Sequence, residues 1–326
     1  PLPAPARGDR SGRASAAAGA GRGRRTERPD RINALARLLH GNEASLESML
    51  KDVPTLPANV CTKLISSCSR VQGGWMRAER LVETMKAAGP KPNIITYNTL
   101  ISVYGKAGGL TENAEAAVRD MRAEGVEPDV FTYNTLISVY AKDGLWKRAE
   151  AAAKEMRAAG LEFDVYTYSA LVQAYARGGG QWERAEAAVE EMKAAGVPPN
   201  IYTYGSLVSA YARGEKAQWK RAERAVAEMR AMKMHPNTLT YSELINAYAR
   251  GGGHWERAEV ALADMQAFGA LPNAATYEAL MSAYVNGGAP WERAVTALEG
   301  LRAAGRAEAT CDEPTYLALV ANAKEE

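Results

Sequence analysis

The chain has 326 residues and an almost balanced charge, 40 Lys and Arg against 38 Asp and Glu, for a net of +2. That balance excludes attraction to a polyanion through bulk charge, so any nucleic-acid affinity must come from where the cations sit. Three Cys exclude a disulfide framework and fit a reduced compartment, and no run approaches the ~18 apolar residues of a membrane span.

In chain order, residues 1–29 form a basic, low-complexity arm. Residues 1–31 hold eight Arg (Arg7, Arg10, Arg13, Arg22, Arg24, Arg25, Arg28 and Arg31) against Asp9, Glu27 and Asp30. An Arg-, Ser- and Ala-rich, acid-poor segment reads as an organellar transit-peptide remnant. A basic tail that touches RNA or protein through charge alone is the alternative. With Pro at its start instead of Met, we expect a processed or truncated product.

Residues 30–57 are expected to form a degenerate helical cap. Ile32, Leu35, Leu38 and Leu39 share one helical face, and Leu46, Met49 and Leu50 follow a break at His40-Gly41-Asn42. Pro54 and Pro57 end the segment.

Residues 58–311 are built from copies of one unit. The stretch Thr-Tyr-Asn-Thr-Leu-Ile-Ser-Val-Tyr at 132–140 recurs nearly verbatim at 96–104, and weaker copies begin at 167, 203, 240 and 276. A last copy begins at Thr315-Tyr316, inside a half repeat at 312–326. The opening Tyr falls at 97, 133, 168, 204, 241, 277 and 316, giving intervals of 36, 35, 36, 37, 36 and 39. Such a period marks a solenoid of stacked helix pairs that bury their core between neighbours.

Within the copy at 131–142, Tyr133, Leu136, Ile137 and Tyr140 stand at i, i+3, i+4 and i+7, predicting an amphipathic first helix. Asp143-Gly144 breaks it, and 146–158 predicts a second helix with Ala149, Ala152, Ala153 and Met156 on its apolar face, stopped at Gly160. Length differences collect in the turn between the paired helices, where the Gly runs 178–180 and 251–253 sit. All six Trp take one repeat position beside the Ala face, which reads as packing. Cys61 and Cys68 stand where later copies carry their two Tyr, as small apolar substitutes. Glu183, Glu186, Glu190 and Glu191 read as a solvated helix face with Arg184 and Lys193.

A basic residue closes the first helix of six copies: Arg70, Lys106, Lys142, Arg177, Arg213 and Arg250. Stacked first helices would line a concave groove with this regular row, which suits a phosphate backbone. The plainer role, cations on helix C-termini, contributes about 0.3–1 kcal/mol each, and both roles are compatible.

Copies reading TYNTLISVYAK, then WKRAEAAAKEMRAAG, then FDV or PDV closely resemble the pentatricopeptide repeat (PPR) family, P type, over residues 58–326. The resemblance implies an all-α fold: a right-handed superhelical α-solenoid of about seven helix-turn-helix repeats with an N-terminal cap and a C-terminal half repeat. It also implies one RNA base read per repeat by two side chains at fixed positions. Matched by motif, these are Thr62 with Asn93, Asn98 with Asp129, Asn134 with Asp164, Ser169 with Asn200, Gly205 with Asn237, Ser242 with Asn273, and Glu278 with Asp312. Ile95, Phe131, Tyr166, Tyr202 and Leu239 would wedge between bases, whereas Asn59, Ala275 and Pro314 suit that task poorly. The implied tract is 5′-A-U-U-A-n-A-n-3′, parallel to the protein, with Gly205 and Glu278 leaving their positions unread.

No catalytic constellation is expected. His40, His235 and His254 are isolated, Cys311 stands alone, and the Gly run 178–180 lacks the Lys-Ser/Thr of a phosphate loop. No cofactor, metal or small-molecule substrate is implied. The leading expectation is an organellar PPR protein, in chloroplast or mitochondrion, that binds single-stranded RNA and acts sterically in RNA stabilisation, processing or translation. The alternatives are a structural subunit of an organellar ribosome, contacting rRNA and ribosomal proteins, and a protein-interaction scaffold.

Overall fold

The computed structural model describes residues 29–303, and among these it contains sixteen α-helices, one 3-10 turn and no strand. Helices α1 (Pro29–Leu39) and α2 (Glu43–Asp52) come first, followed by the 3-10 turn Val53–Thr55. Seven pairs follow: α3 (Ala58–Cys68) with α4 (Gly74–Ala88), α5 (Ile94–Ala107) with α6 (Thr111–Ala123), α7 (Val130–Lys142) with α8 (Trp146–Ala158), and α9 (Val165–Arg177) with α10 (Trp182–Ala194). The last three are α11 (Ile201–Arg213) with α12 (Trp219–Ala231), α13 (Thr238–Arg250) with α14 (Trp255–Ala267), and α15 (Ala274–Gly287) with α16 (Trp291–Ala303). Each odd helix from α3 packs on the next odd helix, forming one continuous inner layer, and each even helix wedges against its own partner and the following odd helix. This is the expected all-α repeat array.

In α1 and α2, Leu35, Leu39, Leu46, Met49 and Leu50 are buried as expected, but Leu38 is not. The apolar stripe of α1 is narrow enough that Leu38 turns outward, 38% exposed. Cys61 and Cys68 are fully buried in the two Tyr positions of α3. Burial pushes their thiols up to about 11 and about 12, which leaves them unreactive.

The length variation sits where the sequence placed it. The turn inside a pair covers 143–145 after α7, 178–181 after α9 and 214–218 after α11, whereas the links 124–129, 159–164, 195–200, 232–237 and 268–273 all have the same length. Each of these links opens on a helix stop closed by a 6→1 bond, such as Leu161 N–H to Met156 O at 3.1 Å, with a left-handed residue one position earlier. That residue is Gly at 125, 160, 196 and 269 but Lys233 in the fourth link, at φ 58°. Each of the five links closes on the N-cap of the next inner helix, so a constant link holds that cap at a constant place in these five repeats; the link 89–93 before α5 is one residue shorter.

The Trp positions pack as expected. Trp146, Trp182, Trp219 and Trp255 open their helices and meet the second Tyr of the following inner helix, with ring centroids 6.2 Å apart for Trp146–Tyr175 and 6.0 Å for Trp219–Tyr248. A Cβ built on Gly178 or Gly251 would lie 2.2 or 2.6 Å from the Cδ1 of Trp146 or Trp219, so the indole requires a bare backbone there. Helix α6 begins with Thr111 instead of Trp, and the residue at the same offset is Asp143, whose carboxylate accepts the Thr111 hydroxyl at 2.7 Å.

The acidic face of α10 is not simply solvated. Glu186 accepts from the Tyr211 hydroxyl at 3.0 Å and from Arg221 at 2.6 Å, while the Arg221 guanidinium lies 4.7 Å from the Trp182 ring. Glu191 accepts from Tyr168 at 3.2 Å and pairs with Arg157. Glu223 and Glu259 repeat the Glu186 arrangement with Tyr248 and Tyr284. Burial first, then the Glu186 carboxylate, holds the Tyr211 phenol well above its ordinary range. These carboxylates fasten one repeat to the next, which explains why acids recur there.

Candidate nucleic-acid interface

Every inner helix from α5 begins with an Asn or Asp N-cap whose Oδ1 accepts the backbone N–H of a Thr three residues on: Thr96 at 3.0 Å, Thr132 at 2.8 Å, Thr167 at 2.8 Å, Thr203 at 2.9 Å, Thr240 at 3.0 Å and Thr276 at 3.1 Å. The cap's own backbone N–H donates to the Thr hydroxyl oxygen in all but the Asn237 cap, completing a capping box. The same hydroxyls reach across to the preceding repeat. Thr132 Oγ1 donates to Asn98 Oδ1 at 2.7 Å and Thr167 Oγ1 to Asn134 Oδ1 at 2.5 Å, while Thr203 and Thr276 share bonds of 2.7 Å with Ser169 and Ser242. Thr62 meets Thr96 more loosely, at 3.3 Å.

In two of the motif-matched pairs the side chains are bonded to each other. Asn98 Nδ2 donates to Asp129 Oδ1 at 3.3 Å, and Asn134 Nδ2 to both oxygens of Asp164 at 3.0 and 3.1 Å. They are not free side chains, however. Asn98 and Ser242 are each only 6% exposed, and both ends of the Asn98 and Asn134 amides already hold the next repeat. One amide hydrogen and one lone pair on each remain to be offered.

Capping decides what the cap residue offers. A cap needs an acceptor, so Asn93, Asn200, Asn237 and Asn273 turn Oδ1 to the helix, which leaves Nδ2, a donor, as the free end. Asp129 has no donor; with Oδ1 spent on Thr132 and Asn98, its second oxygen remains an acceptor. Asp164 likewise offers only acceptor oxygens. The order of the caps, Asn93, Asp129, Asp164, Asn200, Asn237 and Asn273, thus gives donor, acceptor, acceptor and then three donors.

Beside these rungs stand the five candidate stacking residues. Ile95, Phe131, Tyr166, Tyr202 and Leu239 are 60–77% exposed, although each is large and apolar or aromatic. Phe131 and Tyr166 border an open concavity of about 880 Å³ with Asn134, Asp129, Asp164, Lys106 and Lys142. A second, of about 420 Å³, continues past Tyr166 and Tyr202 to Leu239, Gly205 and Arg213. Candidate readers, wedges and cations thus share one surface of the inner layer.

The basic row is exposed and also touches backbone. Lys142 Nζ donates to Gly105 O at 2.8 Å, Arg177 to Lys142 O at 3.2 Å and Arg250 to Ala212 O at 2.9 Å, each leaning on the last turn of the preceding inner helix. Lys106 reaches Ser69 Oγ at 3.5 Å, Asn286 occupies the slot in α15, and Arg70 is exposed at the end of α3. Cations on helix C-termini are therefore present here, and Lys106, Lys142 and Arg177 also line the two concavities. Arg213 departs from the pattern: its Nη2 and Nε donate to Glu243 Oε1 at 2.6 and 3.2 Å.

Sequence reasoning missed two features. The Thr before each opening Tyr recurs in every copy, and Asn/Asp-x-x-Thr is itself a capping signal, so the hydroxyl ladder was within reach. Glu243 carried no such signal, because Thr99, Thr135, Ala170 and Ser206 fill its position in other copies. His254, isolated in the sequence, is half-buried and packs at a tilt against Trp219, with ring centroids 4.5 Å apart. Cys311, the half repeat at 312–326 with Asp312 and Pro314, and residues 1–28 of the arm at 1–29 lie outside the described residues. Among those described, no group of His, Cys, Asp and Glu is placed to hold a metal ion, and no helix is long and apolar enough to cross a membrane.

Family models match much of this array. The model described as PPR repeat family matches 92–142 and 128–177, the pentatricopeptide repeat domain model matches 55–107 and 187–253, and the PPR repeat model matches 166–197. No curated protein matches the chain. Among solved structures, the pentatricopeptide repeat protein PPR10 from maize aligns with a TM-score of 0.61 at 28% identity, over 91% of this chain and 42% of that one. The chain thus spans less than half the length of the maize protein. PPR10 in complex with an 18-nt psaJ RNA element gives 0.43 at 22% identity, over 89% and 52%. The PPR domain of Arabidopsis thaliana protein-only RNase P 1, in complex with tRNA, gives 0.47 at 18% identity, over 57% and 95%.

Proposed function

We propose, from the premise that this chain belongs to the pentatricopeptide repeat family, that its inner layer binds single-stranded RNA, one base to each repeat. The observation that carries this reading is the row of large apolar side chains left 60–77% exposed at one-repeat spacing, each beside a polar rung. Exposed Phe and Tyr in such a row gain from stacking on bases, about 1–3 kcal/mol per base. The cap polarity supports the implied tract. A donor Nδ2 at Asn93, Asn200 and Asn273 matches the acceptor N1 of adenine, and the acceptor oxygens of Asp129 and Asp164 match the N3–H of uracil. The reading is A-U-U-A, an unread position at Gly205, then A. Each such hydrogen bond contributes about 0.5–1.5 kcal/mol net, so discrimination is modest.

Nothing in the groove calls for covalent chemistry, and the action proposed is steric: a covered segment is withheld from nucleases and from its own secondary structure. The Arg-rich arm supports an organellar site of action, and a fluorescent fusion carrying residues 1–31 tests that part alone. For RNA, titration of the purified chain with A-U-U-A-n-A and with a scrambled sequence is decisive. We expect tighter binding of the first, weakened by salt; equal affinities would remove base reading from the proposal. Asn134→Ser with Asp164→Asn should shift the third base from U towards A in the same assay.

A further inference from the structure

Glu243 lies on the groove side of α13, one residue beyond Ser242, with its side chain only 7% exposed. Its Oε1 receives Arg213 twice, at 2.6 and 3.2 Å, and Ser209 Oγ at 3.2 Å, while Oε2 receives Asn246 Nδ2 at 3.3 Å. Arg213 stands where Lys142, Arg177 and Arg250 stand in their repeats, yet those three lean back on neutral backbone carbonyls and keep their full charge. Arg213 instead turns forward to a carboxylate and is neutralised. The same repeat carries Gly205 at the reading position.

We propose that Glu243 withdraws Arg213 from the phosphate-binding row, so that the fifth repeat passes a nucleotide without gripping its backbone. The inference rests on the RNA-binding reading above and adds to it a gap in the grip. A phosphate that drew Arg213 away from Glu243 would leave a buried carboxylate without its cation, which is strongly unfavourable. The bound RNA is then held on two sides of a slack position, by the repeats of Arg70, Lys106, Lys142 and Arg177 before it and that of Arg250 after it.

The salt dependence of RNA binding reads the number of gripped phosphates, at about 0.7 in log K per log salt for each on a single strand. Wild type should show a slope near −3.5 for five cations, where six would give about −4.2. Glu243→Gln keeps the shape and removes the charge. It should bind more tightly and steepen the slope by about 0.7, so that its advantage over wild type changes about 2.6-fold between 50 and 200 mM salt. Arg213→Gln with Glu243→Gln should keep the wild-type slope, whereas Arg177→Gln should flatten it by about 0.7. Three results would overturn the proposal: an unchanged slope in Glu243→Gln, weaker binding by that variant, or a flattened slope in the double variant. If wild type and all variants bind no RNA, the parent reading fails and takes this one with it.

Discussion

Lys233 is the one non-Gly residue among those described that adopts positive φ, at the helix stop where four sister links use Gly. A side chain there costs ~1–2 kcal/mol, of which Gly gives back part through its freer unfolded chain. Lys233→Gly should therefore raise unfolding stability by about 0.5–1 kcal/mol in a denaturant titration. A second residue-scale device is the exchange between Trp-with-Gly and Thr-with-Asp. Gly178→Asp forces a side chain into the Trp146 ring and should cost about 1–3 kcal/mol. Adding Trp146→Thr rebuilds the Thr111–Asp143 pair and should recover at least 1 kcal/mol of that in a double-mutant cycle. Additive losses would mean that the two positions do not read each other. Such pairs stand 32 positions apart (Trp146 to Gly178, Thr111 to Asp143), which is why the sequence alone displayed both members and hid the link.

At the scale of an element, α1 and α2 are held to the first repeat partly through His40. Its Nε2 lies 3.0 Å from Ser67 Oγ, and Arg77 donates to Leu39 O at 2.6 Å beside it. Burial, and then the Arg77 charge, lower the His40 pKa below its ordinary 6.5. The folded state thus prefers the neutral ring. Its contribution is fully present above about pH 6.5 and is lost as pH falls below that value towards the folded pKa. Amide exchange of α1 should accelerate at pH 5.5 relative to the middle repeats after correction for intrinsic rates, and His40→Gln should abolish the difference. The helices themselves were legible because the Tyr, Leu and Ala stripes repeat with a fixed phase. Leu38 was misplaced because four apolar residues in α1 suggested a wider stripe than its neighbours cover. The groove rungs were legible in position but not in state. That Asn98 is buried and bonded at both ends follows from the Thr of the next copy, a contact between segments 34 residues apart.

For the whole molecule, stability is a sum over neighbouring repeats, not the property of a central core. The joints differ. Glu186–Arg221–Trp182–Tyr211 clamps its junction with an indole, whereas at the α5/α6 to α7/α8 junction Glu115 still accepts from Tyr140 and Arg148 but Thr111 stands in place of the indole. Hydrogen exchange should show that junction opening before the one between α9/α10 and α11/α12; uniform protection across the array would reject the difference. The arrangement of constant links and variable turns reaches further. From α6 onwards the length differences lie in the turns within pairs, so the spacing of the caps is insulated from them. On the proposed reading, residues added within 214–218 should leave the target sequence unchanged, whereas one residue added within 195–200 should displace the Asn200 cap and weaken recognition at that junction alone. A whole unit spliced in at two such links should lengthen the word by one nucleotide.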